Sequence, residues 1–289
     1  MMTEPKHINE EWTEIIKPQT SLFDLRLKEL AEYRDLIVLF VRRNMVAYHK
    51  QTVLGPLWHF LQPLVTAILF TFIFGKVAGI KTGEVPPILF NLCSVLFWSF
   101  FANCLFGIAH VFINYASMFS KVYFPRLAIP IVITVTSFLQ FLIQMALFMG
   151  FVLYFIVFED YDWGITLSGI FLLIPLFFFW SVLTTGLGLI VTSLTAKYRD
   201  VSLFIGFGVQ LLMYSSAVIF PVANIAESDR TFIYLNPIPA FMESFRYALL
   251  GYGEFNIYWL LYSWSFAAVV MFIGILMFKR RELTFIDIV

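Results

Sequence analysis

The chain has 289 residues, 60% of them hydrophobic, 19% aromatic and only 13% charged, and its 19 Lys and Arg balance 19 Asp and Glu. Such a composition has no room for a separate soluble domain, so nearly the whole chain must be solvated by lipid or by its own helices. Zero net charge without a cluster of Lys and Arg excludes nucleic acid, whose phosphates require concentrated positive charge.

The first 20 residues, with Lys6, His7, Asn9, Glu10 and Glu11, lack the apolar core of a signal peptide. The first membrane helix is therefore expected to direct insertion, with the N-terminus left in the cytoplasm. Ser21 and Asp24 resemble a capping box, after which Leu27, Leu30, Ile37 and Val41 recur at helical spacing beside a stripe of Asp24, Lys28, Glu32 and Asp35. This pattern predicts an amphipathic helix lying in the membrane interface, running into Arg42, Arg43 and Lys50. Gly55-Pro56 then breaks it.

Six stretches carry no formal charge: 51–75, 85–120, 127–158, 163–196, 201–226 and 255–278. A crossing needs about 20 apolar residues, and water-free hydrocarbon forces backbone N–H and C=O groups to pair inside the segment, so each stretch is predicted to be a helix. The expectation is an all-α membrane protein with a cytoplasmic N-terminus at 1–54 and one transmembrane domain at 55–289, its spans at about 56–78, 87–111, 128–156, 168–195, 201–222 and 257–278.

The connections carry their own signals. Residues 114–126, NYASMFSKVYFPR, read as a short half-polar helix lying flat, ended by Pro125. Only KYRD, 197–200, separates the fourth and fifth spans, which makes them antiparallel neighbours, with Asp200 placed to cap the fifth. The apolar pieces of NPIPAFMESFRYALLGYG, 236–253, are too short to span, so a re-entrant or interfacial pair is predicted. Asn236-Pro237 starts its helix, Gly251 ends it, and Glu243 and Arg246 stand three apart to neutralise each other at the membrane edge.

Threading six spans from a cytoplasmic N-terminus puts 15 of the 19 Lys and Arg inside and leaves Lys76, Lys81, Arg230 and Arg246 outside. That asymmetry predicts two cytoplasmic termini. No Asp or Glu lies in any of the six uncharged stretches, which removes the usual ion-coupling site of a secondary transporter. Nor is there a phosphate-binding loop, since Gly75-Lys76 is followed by Val77 and Phe70 stands where the first glycine belongs. His59 and His110 lie on different helices without partners in sequence, so no metal is expected. Cys93 and Cys104 stand eleven residues apart on one helix, about 16 Å, beyond disulfide reach, and are read as packing residues.

Four segments carry a resemblance: QTVLGPLWHFLQPL at 51–64, SKVYFPRLAIP at 120–130, KYRDV at 197–201 and NPIPAFMESFRYALLG at 236–251. In order and spacing they resemble the permease subunit of ABC-2 type polysaccharide exporters, the O-antigen, teichoic acid and capsule permeases. The resemblance implies a homodimer joined to two copies of a separate ABC ATPase that binds ATP and Mg, this chain having no cofactor and no catalytic residue. It also implies export of an undecaprenyl-linked polysaccharide, with O-antigen for lipopolysaccharide the leading cargo, across the cell inner membrane. On the same basis Asn114, Tyr115, Ser120 and Lys121 belong to a coupling helix for the ATPase, with Lys197 and Arg199 beside it. Pro237, Glu243 and Arg246 belong to an outer re-entrant gate.

Candidate pore or lateral-gate residues follow from spacing. Trp58, Gln62 and Thr66 recur at i, i+4, i+8, and Gln210 with Tyr214 repeats the step; hydrogen bonding between helices explains them equally well. Aromatic runs at Phe97, Trp98, Phe100 and Phe101 and at Phe177, Phe178, Phe179 and Trp180 offer stacking faces for sugars, although packing is the ordinary role of any one ring. Gln140 and Gln144 read as packing. An ABC-2 exporter of a drug or small lipid would use the same spans, and a membrane-embedded glycan or lipid transferase would need surface acids, of which Glu159, Asp160 and Asp162 form the dense cluster.

Overall fold

The computed structural model describes residues 27–50, 55–119, 121–122, 124–198 and 200–286. The Ser21 and Asp24 cap, Ser120 and Arg199 lie outside the described residues. Those residues hold only helices, turns and irregular chain, without a strand.

The amphipathic segment forms α1, Leu27–Glu32, and α2, Arg34–Lys50, broken at Tyr33. From its predicted apolar face Leu30 and Ile37, joined by Leu36 and Phe40, pack on Val111, Phe124, Ala128 and Ile129. Val38 and Leu39 stay exposed on the other side, as suits a helix with one face on protein and one on head groups.

After a 3-10 turn at Gly55–Leu57 come α3, Trp58–Phe70, which continues as a π-helix over Thr71–Val77, and α4, Pro87–Ala109. The flat piece is two single turns, α5, Val111–Asn114, and α6, Ala116–Phe119. Then follow α7, Ala128–Phe158, α8, Leu167–Thr195, α9, Val201–Tyr214, α10, Glu227–Tyr234, α11, Pro237–Leu250, and α12, Ile257–Ile286. Among the described residues five helical segments are long and apolar enough to cross a membrane: Trp58–Val77, Pro87–Ala109, Ala128–Phe158, Leu167–Thr195 and Ile257–Glu282.

The helix expected over 201–222 stops at Tyr214. Its 14 residues reach about 21 Å, short of a hydrocarbon core of about 30 Å. The cause is local: the hydroxyls of Ser215 and Ser216 donate back to the Leu212 carbonyl, and Ala217 takes a left-handed φ of 53°. Asp200 occupies the N-cap position of α9 but makes no capping hydrogen bond, unlike Asn236, whose Oδ1 accepts from the Ile238 N–H at 3.1 Å.

α4 is the central stave, apolar on every side and buried along most of its length, touching α3, α7, α8, α9 and α11. Phe97, Trp98 and Phe101, expected near a pore, are sealed in this interior: Phe97 stacks on Phe245 at 3.6 Å, and Phe101 lies 5.2 Å from Trp180. A run of consecutive rings points all around its helix, and over this run every side of the helix meets protein. These rings pack the interior of the bundle.

α8 and α12 form the most extensive pair, and small residues let their backbones touch. A Cβ on Gly186 would lie 2.7 Å from the Met271 backbone, whereas one on Gly150 of α7 would meet nothing within 4 Å. Gly186→Ala is expected to cost about 1–3 kcal/mol through overpacking and to lower Tm in detergent. Gly150→Ala should leave Tm unchanged or raise it, because alanine is the better helix former.

Candidate functional site

One end of the bundle is organised by the Glu243 and Arg246 pair on α11. Asn236 caps α11 at its start, and Gly251 ends it with φ 67°, closely apposed to Gly164. The predicted i, i+3 ion pair is present, with Arg246 Nη1 2.9 Å from Glu243 Oε1, but its side chains are only 0% and 1% exposed. The pair is therefore covered by protein on all sides, at the end of the bundle where α11 lies.

Full burial demands that every donor be used. Arg246 donates from Nε and Nη2 to Ser94 Oγ at 3.0 and 2.8 Å, from Nη2 to the carbonyls of Ala217 and Val218, and from Nη1 to that of Phe220. Its guanidinium also lies 4.0 Å over the Phe90 ring. Glu243 accepts from the backbone N–H groups of Val222 and Glu254 at 2.9 and 3.2 Å. The pair thus fastens α11 to α4 and to the irregular chain after α9.

Neighbouring contacts extend this clasp. Trp163 Nε1 donates to the Leu249 carbonyl at 2.6 Å, Ser263 Oγ to the Pro237 carbonyl at 2.9 Å, and Asn236 Nδ2 to Ser216 Oγ at 2.9 Å. Glu159, Asp160 and Asp162 lie exposed on the turn that precedes Trp163. Ser94 was missed by sequence reading, although Asn91 and Ser94 are polar residues three apart on a largely apolar helix. Asn91 Nδ2 donates to Thr71 Oγ1 at 3.0 Å and so joins α4 to the π-helical stretch.

α3 and α9 have the opposite character. Only 11% of the apolar window of α3 is buried, against 72% for α4, and α9 buries just Ile205 and Val209. The two predicted stripes lie on these helices: Gln62 and Gln210 are exposed, Trp58 is 49% and Tyr214 47% exposed, and Gln210 Nε2 approaches Tyr214 OH at 3.4 Å. Thr66, half-buried, donates to the Gln62 carbonyl at 2.9 Å. Both helices lean on α4. A carboxamide exposed to lipid on an apolar helix is costly, so Gln62 and Gln210 mark faces that meet protein or water.

At the other end, Asn114, Lys121 and Lys197 are exposed, Lys197 with Nζ 4.6 Å from the Tyr198 ring centroid, and Tyr115 is half-buried. Arg126, within the predicted flat segment, donates to the Glu282 carbonyl at 2.8 Å and lies 5.4 Å over the Phe119 ring. It anchors that segment to the end of α12.

The five apolar helical segments long enough to cross a membrane, among the described residues, define a multi-pass membrane protein. The ABC-2 type transporter family matches residues 35–250, and the chain belongs to that family. Two proteins of Klebsiella pneumoniae named O-antigen export system permease protein RfbA are each 25% identical to it, over 256 and 257 residues, covering 88% of this chain and 95% of each relative. A protein of the same name from Myxococcus xanthus is 26% identical over 222 residues, 76% of this chain and 82% of the relative.

Removing one partner of the buried pair strands a charge. Arg246→Gln or Glu243→Gln is expected to cost about 3–5 kcal/mol, seen as a large fall in Tm in detergent. Arg230→Gln, whose partner Glu254 at 2.6 Å is about a third exposed, should cost about 1 kcal/mol or less.

Proposed function

We propose that this chain is the permease subunit of an ATP-driven exporter of lipid-linked polysaccharide, working in the cell inner membrane as a homodimer with two separate ATPase subunits. O-antigen is the favoured cargo because the relatives reported above are named for its export. Teichoic acid, capsule, drug or lipid export would use the same architecture.

The observation that carries the reading is the pair of thinly buried helices, α3 and α9, with Gln62 and Gln210 exposed on them. In a homodimer the α3 of one copy and the α9 of the other flank a path, and Trp58, Gln62, Thr66, Gln210 and Tyr214 supply neutral, weakly binding contacts along it. A long sugar chain needs such contacts, because tight binding at one point would stall it. The end carrying α10 and α11 faces outward, with Pro237, Glu243 and Arg246 in a re-entrant gate, and α9 with the chain after Tyr214 completes a sixth crossing. Both termini lie in the cytoplasm.

Asn114, Tyr115, Ser120, Lys121, Lys197 and Arg199 form the contact for the ATPase, which supplies ATP and Mg. Closure of the ATPases pushes on the flat segment, and the bond from Arg126 to Glu282 carries the push into α12.

Two measurements test this. A cysteine at Asn114 should cross-link to the ATPase, with little background because Cys93 and Cys104 are buried. Vesicles holding the permease and its ATPase should export the lipid-linked glycan on ATP, and Gln62→Leu with Gln210→Leu should reduce export about tenfold or more while ATP hydrolysis persists. Export by the permease alone on a proton or sodium gradient would overturn the proposal.

A further inference from the structure

α3 rests on the body by a narrow seam. Its buried residues are His59, Pro63 and Ala67, each four apart, and the same step reaches Thr71, where the helix passes into the π-helical stretch Thr71–Val77. The widened turn runs on past that stretch: the N–H of Ala78 donates to the Ile73 carbonyl, five residues back, and that of Ile80 to the Phe74 carbonyl, six back. Widened turns of this kind recur at functional joints in helices.

The chain is held differently on the two sides of this joint. After Val77 the loop is pinned: Asn224 Nδ2 donates to the Lys81 carbonyl at 3.0 Å, Thr82 Oγ1 donates to the Val85 carbonyl at 2.9 Å, and a Cβ on Gly83 would strike the Tyr252 ring. Before Thr71 the helix touches α4 and α7 along its seam and leaves Leu61, Val65, Ile68 and Leu69 exposed. A thinly seated rod that ends in an irregular turn and a fixed loop bends most cheaply at that turn.

One side chain ties the joint to the body. Asn91 of α4, 3% exposed, donates from Nδ2 to Thr71 Oγ1 at 3.0 Å, and Thr71 Oγ1 itself donates to the Ala67 carbonyl at 2.8 Å. Asn91 Oδ1 is buried and has no hydrogen-bond partner among the described residues. An unpaired buried carbonyl is a net cost, so a leucine would serve packing better at this place. Residues that break a local rule in this way belong to sites whose use lies outside stability.

We propose that Thr71–Val77 is the hinge of α3 and that Asn91 restrains it, so that the part of α3 before Thr71 swings against α4 and α7 while the loop after Val77 stays in place. The inference rests on the export reading only for what the swing widens, the path beside α3. The swing itself is a property of this chain alone.

Pulsed electron paramagnetic resonance on the full chain in lipid nanodiscs tests it, with labelled chain diluted in unlabelled chain so that distances within one copy are read. One pair of spin labels sits at Val65 on α3 and Val269 on α12, both exposed, and a second at Glu84, in the pinned loop, and Val269. Cys93 and Cys104 are buried, so labelling falls on the introduced cysteines. The first pair should give a major and a minor distance. Asn91→Leu should raise the minor population about two- to tenfold, the worth of one net hydrogen bond. Gly75→Ala, whose Cβ would meet only Pro87 Cβ at 4.0 Å, should lower it about fivefold by stiffening the turn. The second pair should keep one distance throughout. Tm should hold in Asn91→Leu, because Thr71 Oγ1 still donates to Ala67 and nothing buried is left unpaired, so a shifted population will not reflect misfolding. A single distance for the first pair, populations unmoved by both variants, or an equal shift of the second pair overturns the hinge. Shifted populations in a chain that exports no glycan with its ATPase would refute the export reading and leave the hinge standing.

Discussion

One guanidinium stands in for a missing stretch of helix. After Tyr214 the backbone leaves helical geometry, and the carbonyls of Ala217, Val218 and Phe220 lose the N–H partners a continued helix would give them. In a dry body each orphan is expensive, and Arg246, with its planar fork of five donors, takes all three while also holding Ser94. Glu243 cancels the charge and receives the N–H groups of Val222 and Glu254. Lysine would supply the charge without the fork. A buried pair of this kind is weak evidence for stability in itself; its weight here is positional, because it ties α11, α4 and the chain after α9 together at one point. The cap from Trp163, the apposition of Gly251 and Gly164, and the bond from Ser263 all depend on where α11 sits.

The rest of the bundle divides by how firmly each helix is held. α4 is buried along its length, and α8 and α12 meet backbone to backbone at Gly186, with Phe179 stacked on Trp264 at 4.7 Å. Such a body transmits a push with little loss, since close-packed interiors shift between discrete arrangements and resist gradual deformation. α3 and α9 have thin contacts, and both leave regular α geometry before their far ends, α3 into a π-helix and α9 into the serine-rich turn. Irregularity of that kind in a lightly held helix marks where a hinge costs least. The bond from Asn91 to Thr71 and the clasp at Arg246 fix the far side of each joint to α4.

Much of this was legible in the sequence, and the limits follow from where tertiary contacts take over. Charge-free length gave the helices, Asn236 and Gly251 gave both ends of α11, and spacing paired Glu243 with Arg246, because each of these is settled within a turn or two of chain. The depth of that pair was not legible, since it depends on Ser94, some 150 residues earlier. The aromatic run around Phe97 was ambiguous for the same reason: a ring on an apolar helix looks alike in sequence whatever it faces, and here Phe97 stacks on Phe245. α9 was drawn too long because an uncharged stretch says nothing of serine hydroxyls turning back on Leu212. Asp200 stands where a cap belongs, yet position alone does not orient a side chain.

Neutral polarity is the common thread in what the body leaves open. Its buried charges on α11 cancel within 2.9 Å, so they present no net field to anything passing. Gln62 and Gln210 are open to a neighbour. An amide binds a hydroxyl for about the free energy it would gain from water, so the contact forms and breaks with little net change. A fixed charge in low dielectric would hold an ion or phosphate several kcal/mol more tightly and turn a path into a trap.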